Sequence, residues 1–131
     1  MKLLLDTHIW IWQIERPEKL SLVVRRELDD PKNECYLSAI SIWEAHLLAQ
    51  RNRLRIKGSF SEWLDQVFLR TPLLEAPINR AVAAQACQLQ LPQSDLGDLF
   101  LAATALTFGL TLVTADSQLI RCRWLKTLAN G

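Results

Sequence analysis

The chain has 131 residues, half of them apolar and 22% charged. That is the size of one domain with a proper core, and it excludes both a disordered segment and a two-domain protein. Fifteen Lys and Arg against fourteen Asp and Glu leave a formal net charge of +1, which argues against a histone-like basic binder and against an acidic tail, while leaving open where the charges cluster.

Residues 2–5 predict a short buried strand that ends at Asp6-Thr7-His8. Pro17 to about Asp30 predicts a helix, with Pro17 in its first turn and Leu20, Val23, Val24 and Leu28 as an apolar stripe. Pro31-Lys32-Asn33 breaks it, and Cys35-Tyr36-Leu37 predicts a second strand. A helix from about Ile40 to Gln50 is expected to place Ile40, Trp43 and Leu47 on one face. Ser59-x-x-Glu62 reads as a capping box opening a helix whose apolar positions are Phe60, Trp63, Leu64, Val67 and Phe68. Leu73-Leu74, between Pro72 and Pro77, predicts a third strand. Residues 78–90 predict a helix with Ile78, Val82, Ala86 and Leu89 inward. The last helix, about 95–108, is expected to bury Leu99, Ala102, Ala103 and Leu106 and to stop at Gly109 in a left-handed cap. Leu110-Thr111-Leu112-Val113 then predicts a strand running into Thr114-Ala115-Asp116, with a final strand near Trp124–Leu128. Short apolar strands alternating with amphipathic helices predict an α/β domain over 1–131 with a parallel sheet.

The acids have a positional logic within that order. Asp6 follows the first strand, Asp116 follows the strand at 110–113, and Glu44 lies one turn into the helix after the second strand. Asp95 and Asp98 open the helix that leads into the 110–113 strand. In a parallel sheet the carboxyl ends of the strands form one edge, where ligand sites collect. Converging carboxylates repel one another and raise one another's pKa unless a cation neutralises them. Oxygen-only ligands favour Mg²⁺ or Mn²⁺ over zinc. Two such ions roughly 3.5–4 Å apart suit phosphodiester hydrolysis. Each acid also has a structural reading. Asp6 punctuates a strand, Glu44 stands three residues after Ser41 as in a capping box, Asp95 and Asp116 suit helix caps, and Asp98 suits a helix dipole. Those readings leave the shared edge unexplained.

Other features carry less. Cys35, Cys87 and Cys122 are odd in number and lack C-x-x-C spacing, so they read as reduced, mostly buried thiols and not as a zinc site. Leu3-Leu4-Leu5 meets Asp6 at once, too short a run for a signal peptide or membrane span, so a cytoplasmic protein is expected. His8 and His46 read as structural, and the five tryptophans, Trp10, Trp12 and Trp43 among them, as core or interface residues in preference to base-stacking platforms. Arg51, Arg53, Arg55 and Lys57 form the densest basic run, interleaved with Leu54 and Ile56. It reads either as a solvated surface with snorkelling side chains or as a guide for an RNA backbone.

Leu4-Leu5-Asp6-Thr7-His8, Ser41-Ile42-Trp43-Glu44, Asp95-x-x-Asp98 with Leu101-Ala102-Ala103-Thr104-Ala105, and Leu112-Val113-Thr114-Ala115-Asp116 occur in that order. Together they resemble the PIN-domain proteins of the VapC type, toxins of prokaryotic toxin–antitoxin pairs, from residue 3 to about 120. The resemblance implies a three-layer α/β/α sandwich and a Mg²⁺- or Mn²⁺-dependent endoribonuclease. It implies Asp6, Glu44, Asp98 and Asp116 as metal-binding catalytic acids, with Thr114 in support; Asp95 reads either as a supporting residue behind them or purely as a helix cap. It also implies a homodimer and a cognate antitoxin that plugs the acidic cleft. Two departures stand out: Asp98 is followed by Leu99 where many relatives carry Arg, and Leu48 stands near a position often held by Lys. The rival functions are a non-catalytic PIN-like scaffold and a phosphatase with Asp6 as nucleophile. The latter wants a second acid two residues on, where this chain has His8. With the four acids given to metal, the rest of the chain is net basic, so the near-neutral total is no objection to an RNA substrate.

Overall fold

A computed structural model describes residues 1–91 and 95–131. Five parallel strands, β1 (Lys2–Leu5), β2 (Glu34–Ser38), β3 (Leu74–Ala76), β4 (Thr111–Thr114) and β5 (Thr127–Ala129), form one sheet in the order β3-β2-β1-β4-β5. The chain builds outward from β1 through β2 to β3, then returns to lay β4 on the other side of β1. The order therefore reverses between β1 and β4, which is where a doubly wound sheet opens a crevice at its carboxyl edge.

Leu3, Leu4 and Leu5 are all fully buried because the sheet is covered on both faces. Side chains alternate along a strand, so Leu3 and Leu5 join one core with Val113 and Leu37, while Leu4 joins another with Leu112. Each buried leucine contributes roughly 1.5–3 kcal/mol over an exposed one. The first core takes in α1 (Thr7–Glu15), α2 (Leu22–Asp29), α3 (Ala39–Gln50) and α4 (Phe60–Arg70) through Ile9, Trp10, Val24, Ala45 and Val67. The second takes in α6 (Leu96–Phe108) and the short α7 (Ser117–Ile120) through Leu101, Ala102, Ala105 and Leu119. Outside it, α5 (Arg80–Gln88) packs on α6 through Val82, Ala86 and Ala103. The fold is an α/β/α sandwich.

Several elements depart from the sequence reading. Residues 7–15 are a helix where no element was expected, because Ile9-Trp10-Ile11-Trp12 is apolar without a single helical stripe. Trp10 explains the pattern: it is fully buried, edge-on to Trp63 and stacked on Phe68, so α1 is enclosed by neighbours. The helix expected from Pro17 is split. Pro17–Lys19 form a 3-10 turn, and Ser21 caps α2 by accepting from the Val24 N–H. The buried stripe is then Leu20 and Val24 with Leu28 beside them, while Val23 is exposed.

On α3 the buried positions are Ser41 and Ala45, not the expected face of Ile40, Trp43 and Leu47, because α3 is wedged between α1 and α6 and Trp43 points outward. The α3 cap is Ser38, whose Oγ accepts from the Ile40 N–H, so Ser41 is no capping partner of Glu44. On α6 Leu101 and Ala105 are buried, while Leu99 and Leu106 are only partly so. Cys87 is exposed, contrary to the reading of mostly buried thiols, and all three cysteines are free. The Ser59 cap of α4 and the left-handed Gly109 after α6 are present as expected. Among the described residues no helix is long and apolar enough to cross a membrane.

Candidate functional site

The crevice between β1 and β4 opens into a cleft of about 480 Å³ whose lining includes Asp6, Glu44, Asp95, Asp98 and Asp116. Asp6 stands directly after β1 and caps α1. Its N–H donates to the Val113 carbonyl at 3.0 Å, fixing the end of β1 against β4. Asp116 stands two residues beyond β4 and caps α7, accepting from the Gln118 N–H. Glu44 comes from the inner side of α3, and Asp98 from the first turn of α6, whose cap is Asp95. The capping bond runs from the Asp98 N–H to Asp95 Oδ1 at 3.0 Å.

Buried hydroxyls hold two of these acids. The Thr114 hydroxyl donates to Asp6 Oδ2 at 2.6 Å, and Oδ1 accepts from the Thr7 N–H at 2.7 Å. Thr114 Oγ1 also accepts from the Asp116 N–H, so one hydroxyl joins two acids. The Thr7 hydroxyl lies 2.5 Å from Glu44 Oε1 and 2.8 Å from Ser41 Oγ. It has one proton to give, which goes to the carboxylate, and Ser41 donates to Thr7 in turn. The other Glu44 oxygen lies against Gly97, at the start of α6.

The electrostatics follow from this crowding. Burial pushes the Asp6 and Glu44 carboxyls above their ordinary values, against the pull of the Thr114 and Thr7 hydrogen bonds. Asp98 is raised to about 7, first by burial and then by the charges of Asp95, Asp6, Asp116 and Glu44. A carboxyl that titrates near neutrality beside four acids fits a cation site. Among the described residues, no three His, Cys, Asp or Glu side chains stand together closely enough to hold an ion unaided. Magnesium suits an open, all-oxygen set of this kind, because it keeps several waters and takes one or two carboxylates plus substrate phosphate. Asp6, Glu44, Asp98 and Asp116, with Asp95 beside them, are the carboxylates lining the cleft that could hold it.

The sequence matches the PIN domain family over residues 3–125. The chain belongs to the PIN-domain family. It is 33% identical over 119 residues to ribonuclease VapC22 of Mycobacterium tuberculosis, covering 88% of each chain. The fold of this PIN domain is also that of VapBC2 from Rickettsia felis, solved with a DNA fragment from its promoter, at a TM-score of 0.75, 20% identity and full coverage of both chains. DNA-bound VapBC from Salmonella typhimurium superimposes with a TM-score of 0.69, at 19% identity and 98% coverage of both.

The basic run divides among three places around this PIN-domain cleft. Asn52, in the left-handed conformation, ends α3 with a pair of backbone bonds, Arg53 N–H to Leu48 O and Asn52 N–H to Ala49 O. Arg51 thereby lines the acidic cleft. Beyond it Leu54 is buried, which throws Arg53 and Arg55 out to an adjoining groove. Lys57 lies in a further groove against α4.

Sequence reasoning gave no role to Thr7 or Gly97, read Ser41 as a capping residue where it contacts Thr7, and read Trp12 as core or interface where it lines the cleft. Thr7 adjoins Asp6, and a glycine inside a helix is a signal of close approach; the partners of both come from other elements. His8 lines the cleft, 5.9 Å from the Trp12 ring, whereas His46 packs between Trp43 and Phe60, away from the acids.

Proposed function

We propose that this PIN-domain protein is a Mg²⁺- or Mn²⁺-dependent endoribonuclease, the toxin of a VapBC-type pair. The observation that carries the reading is the set of four acids, Asp6, Glu44, Asp98 and Asp116, lining one cleft at the point where the strand order reverses. Likeness to a named ribonuclease over most of both chains adds the reaction class. A bound divalent ion would polarise the scissile phosphate and lower the pKa of an attacking water.

The chain's own residues do the positioning. The Thr114 hydroxyl and the Thr7 N–H each hold one Asp6 oxygen, fixing the orientation of that carboxylate, and the Thr7 hydroxyl orients Glu44. Asp98 brings a carboxylate from α6 that gives up its proton near neutral pH. Arg51, at the same cleft, pairs with a substrate phosphate, and Arg53, Arg55 and Lys57 lie on the surface nearby. Asp95 supports the site as the cap that sets the first turn of α6.

The protein acts in the cytoplasm as a homodimer and is neutralised by a cognate antitoxin. Support for the partner comes from similar solved structures, which are VapBC complexes, one described as belonging to a toxin–antitoxin family.

The test is cleavage of a defined RNA by the free protein, separated from any co-expressed partner. Activity should require Mg²⁺ or Mn²⁺, stop in EDTA, and fall in Asp6→Asn and Asp98→Asn. Full activity in EDTA, or in both variants, would falsify the reading. Absence of cleavage with tight binding to a small co-expressed protein would replace it with a scaffold.

A further inference from the structure

The acidic cleft opens into a second groove of about 640 Å³, and His8, Trp12 and Leu48 line both. The charge reverses across them. Arg16, Lys19, Arg53 and Arg55 line the second groove, against Glu15. All four cations are exposed, and their backbone is held by the fold. Buried Leu54 keeps Arg53 and Arg55 outward, while the turn carrying Arg16 and Lys19 is tied to the chain beyond β5. Asn130 makes that tie, with Nδ2 donating to the Lys19 carbonyl at 3.1 Å and Oδ1 accepting from the Ser21 N–H at 2.6 Å.

Trp12 stands where the two grooves meet. Unlike Trp10, it is only half-buried, and the Lys19 ammonium lies 5.3 Å from its ring centroid. An ammonium on a long flexible stem over the partly exposed ring, which also packs against the first core, is weakly tied. A flat base can take its place while the charge moves to a neighbouring phosphate.

We propose that this groove holds the unpaired RNA strand on one side of the scissile phosphate, with one base stacked on Trp12 and the adjoining phosphates on Arg16, Arg53 and Arg55. The inference rests on the ribonuclease reading of the acidic cleft and names the residues that would hold the strand beside it. A carboxylate-lined cleft repels a polyanion, so the flanking phosphates need cations beside it, and the second groove supplies four. An indole platform serves a strand whose bases are free to stack outward, which a duplex does not offer. The groove volume falls within the roughly 300–1,000 Å³ of small-molecule sites, the size class of a nucleotide. An acidic peptide would satisfy the arginines but would gain nothing particular from the flat face of Trp12.

The test measures binding of a short, unstructured, fluorescein-labelled RNA to the full chain in EDTA, by anisotropy across a salt series. The triple variant Arg16→Gln, Arg53→Gln, Arg55→Gln should flatten the plot of log Kd against log salt by about 2, at roughly 0.7 per lost phosphate contact. Trp12→Leu should weaken binding by about tenfold or more with the slope unchanged, and Trp12→Phe should restore most of the loss. The same sequence as a duplex should be indifferent to Trp12→Leu. Arg70→Gln, on α4 outside the groove, is the control. Should Trp12→Leu fail to fold, the triple variant and Trp12→Phe carry the test, since the arginines are exposed.

Wild-type affinity and slope in the triple and Trp12 variants, with RNA still cleaved by the parent protein in Mg²⁺, would overturn the groove and leave the ribonuclease reading standing. A parent protein that neither binds nor cleaves RNA would overturn both. Variants that bind RNA normally but lose a co-purified protein would assign the groove to that protein.

Discussion

Gly97 and Glu44 stand so close that a Cβ on the glycine would lie 2.9 Å from Glu44 Cδ and nearer still to Oε2. The requirement is for space, since Gly97 lies within the regular helix α6. Adding a methyl group must push the Glu44 carboxylate out of its place beside α6. Helix propensity alone favours Ala over Gly by about 1 kcal/mol, so Gly97→Ala should fold and melt close to the parent. RNA cleavage should nevertheless fall by about tenfold to a hundredfold, the cost of misplacing a reacting group by about 1 Å. Unchanged kcat/KM in this variant would show that the position of Glu44 does not matter.

Removing the buried hydroxyls should act on the pH profile as well as on the rate. Thr114→Val leaves Asp6 Oδ2 and the Asp116 N–H without their shared partner. Hydrogen bonds to charged groups are worth about 1.5–3 kcal/mol. The Thr114 bond is the largest influence pulling the Asp6 pKa down against burial, so its loss should move the acid limb of the rate profile to higher pH. Thr114→Ser should restore it. Thr7→Val should do the same through Glu44, with recovery in Thr7→Ser. A lower rate with no movement of the acid limb would reduce both hydroxyls to packing.

Metal-free protein should lose stability as pH rises. Asp98 is raised from 3.8 to about 7 in the folded chain, so between those values the native state binds more protons than the unfolded state. The stabilisation is complete below pH 3.8 and is lost as pH rises through about 7. Asp6 and Glu44 are shifted in the same direction. In EDTA the melting temperature should therefore be lower at alkaline than at mildly acidic pH, and Asp98→Asn should flatten that difference. Added Mg²⁺ or Mn²⁺ should raise the melting temperature most at alkaline pH, where protons no longer compete for the acids. A pH-independent melting temperature would contradict the crowding of charge in the cleft.

Asp95 and Asp98, three residues apart on one turn, should respond differently to the same substitution. Asn caps a helix about as well as Asp, so Asp95→Asn should keep α6 intact and most of the activity. Asp95 is the leading charge that raises Asp98, so the variant should lower the acid limb of the rate profile. Asp98→Asn should lower cleavage by roughly a hundredfold or more, if loss of a metal-holding carboxylate removes several kcal/mol of transition-state stabilisation. Equal losses in the two variants would make Asp95 a ligand in its own right.

Much of this was legible along the chain because it is local. The leucines of β1, the Ser59 cap and the apolar stripe of α4, and the stop at Gly109 each follow from a pattern within a few residues. The strand-then-acid order placed Asp6 and Asp116 at one sheet edge, since every parallel strand ends on the same side. Helix α1 was not legible, because a helix packed on several sides shows no contrast between apolar and polar faces. The outward turn of Trp43 was hidden for a related reason. Every face of α3 carries apolar residues, and its neighbours α1 and α6 select the small positions Ser41 and Ala45 for the interior.

Residue types and their order were enough to single out the acids as a candidate oxygen-only set and to anticipate a parallel sheet. They could not supply the contacts that make those acids a site. Thr7 reaches Glu44 across 37 residues and Thr114 reaches Asp6 across 108. Such distances are closed by sheet register and by the crossover that sets β4 beside β1. Periodicity reports which face of an element is buried; which other element lies against that face is a property of the packed whole, and Gly97 facing Glu44 exists only there.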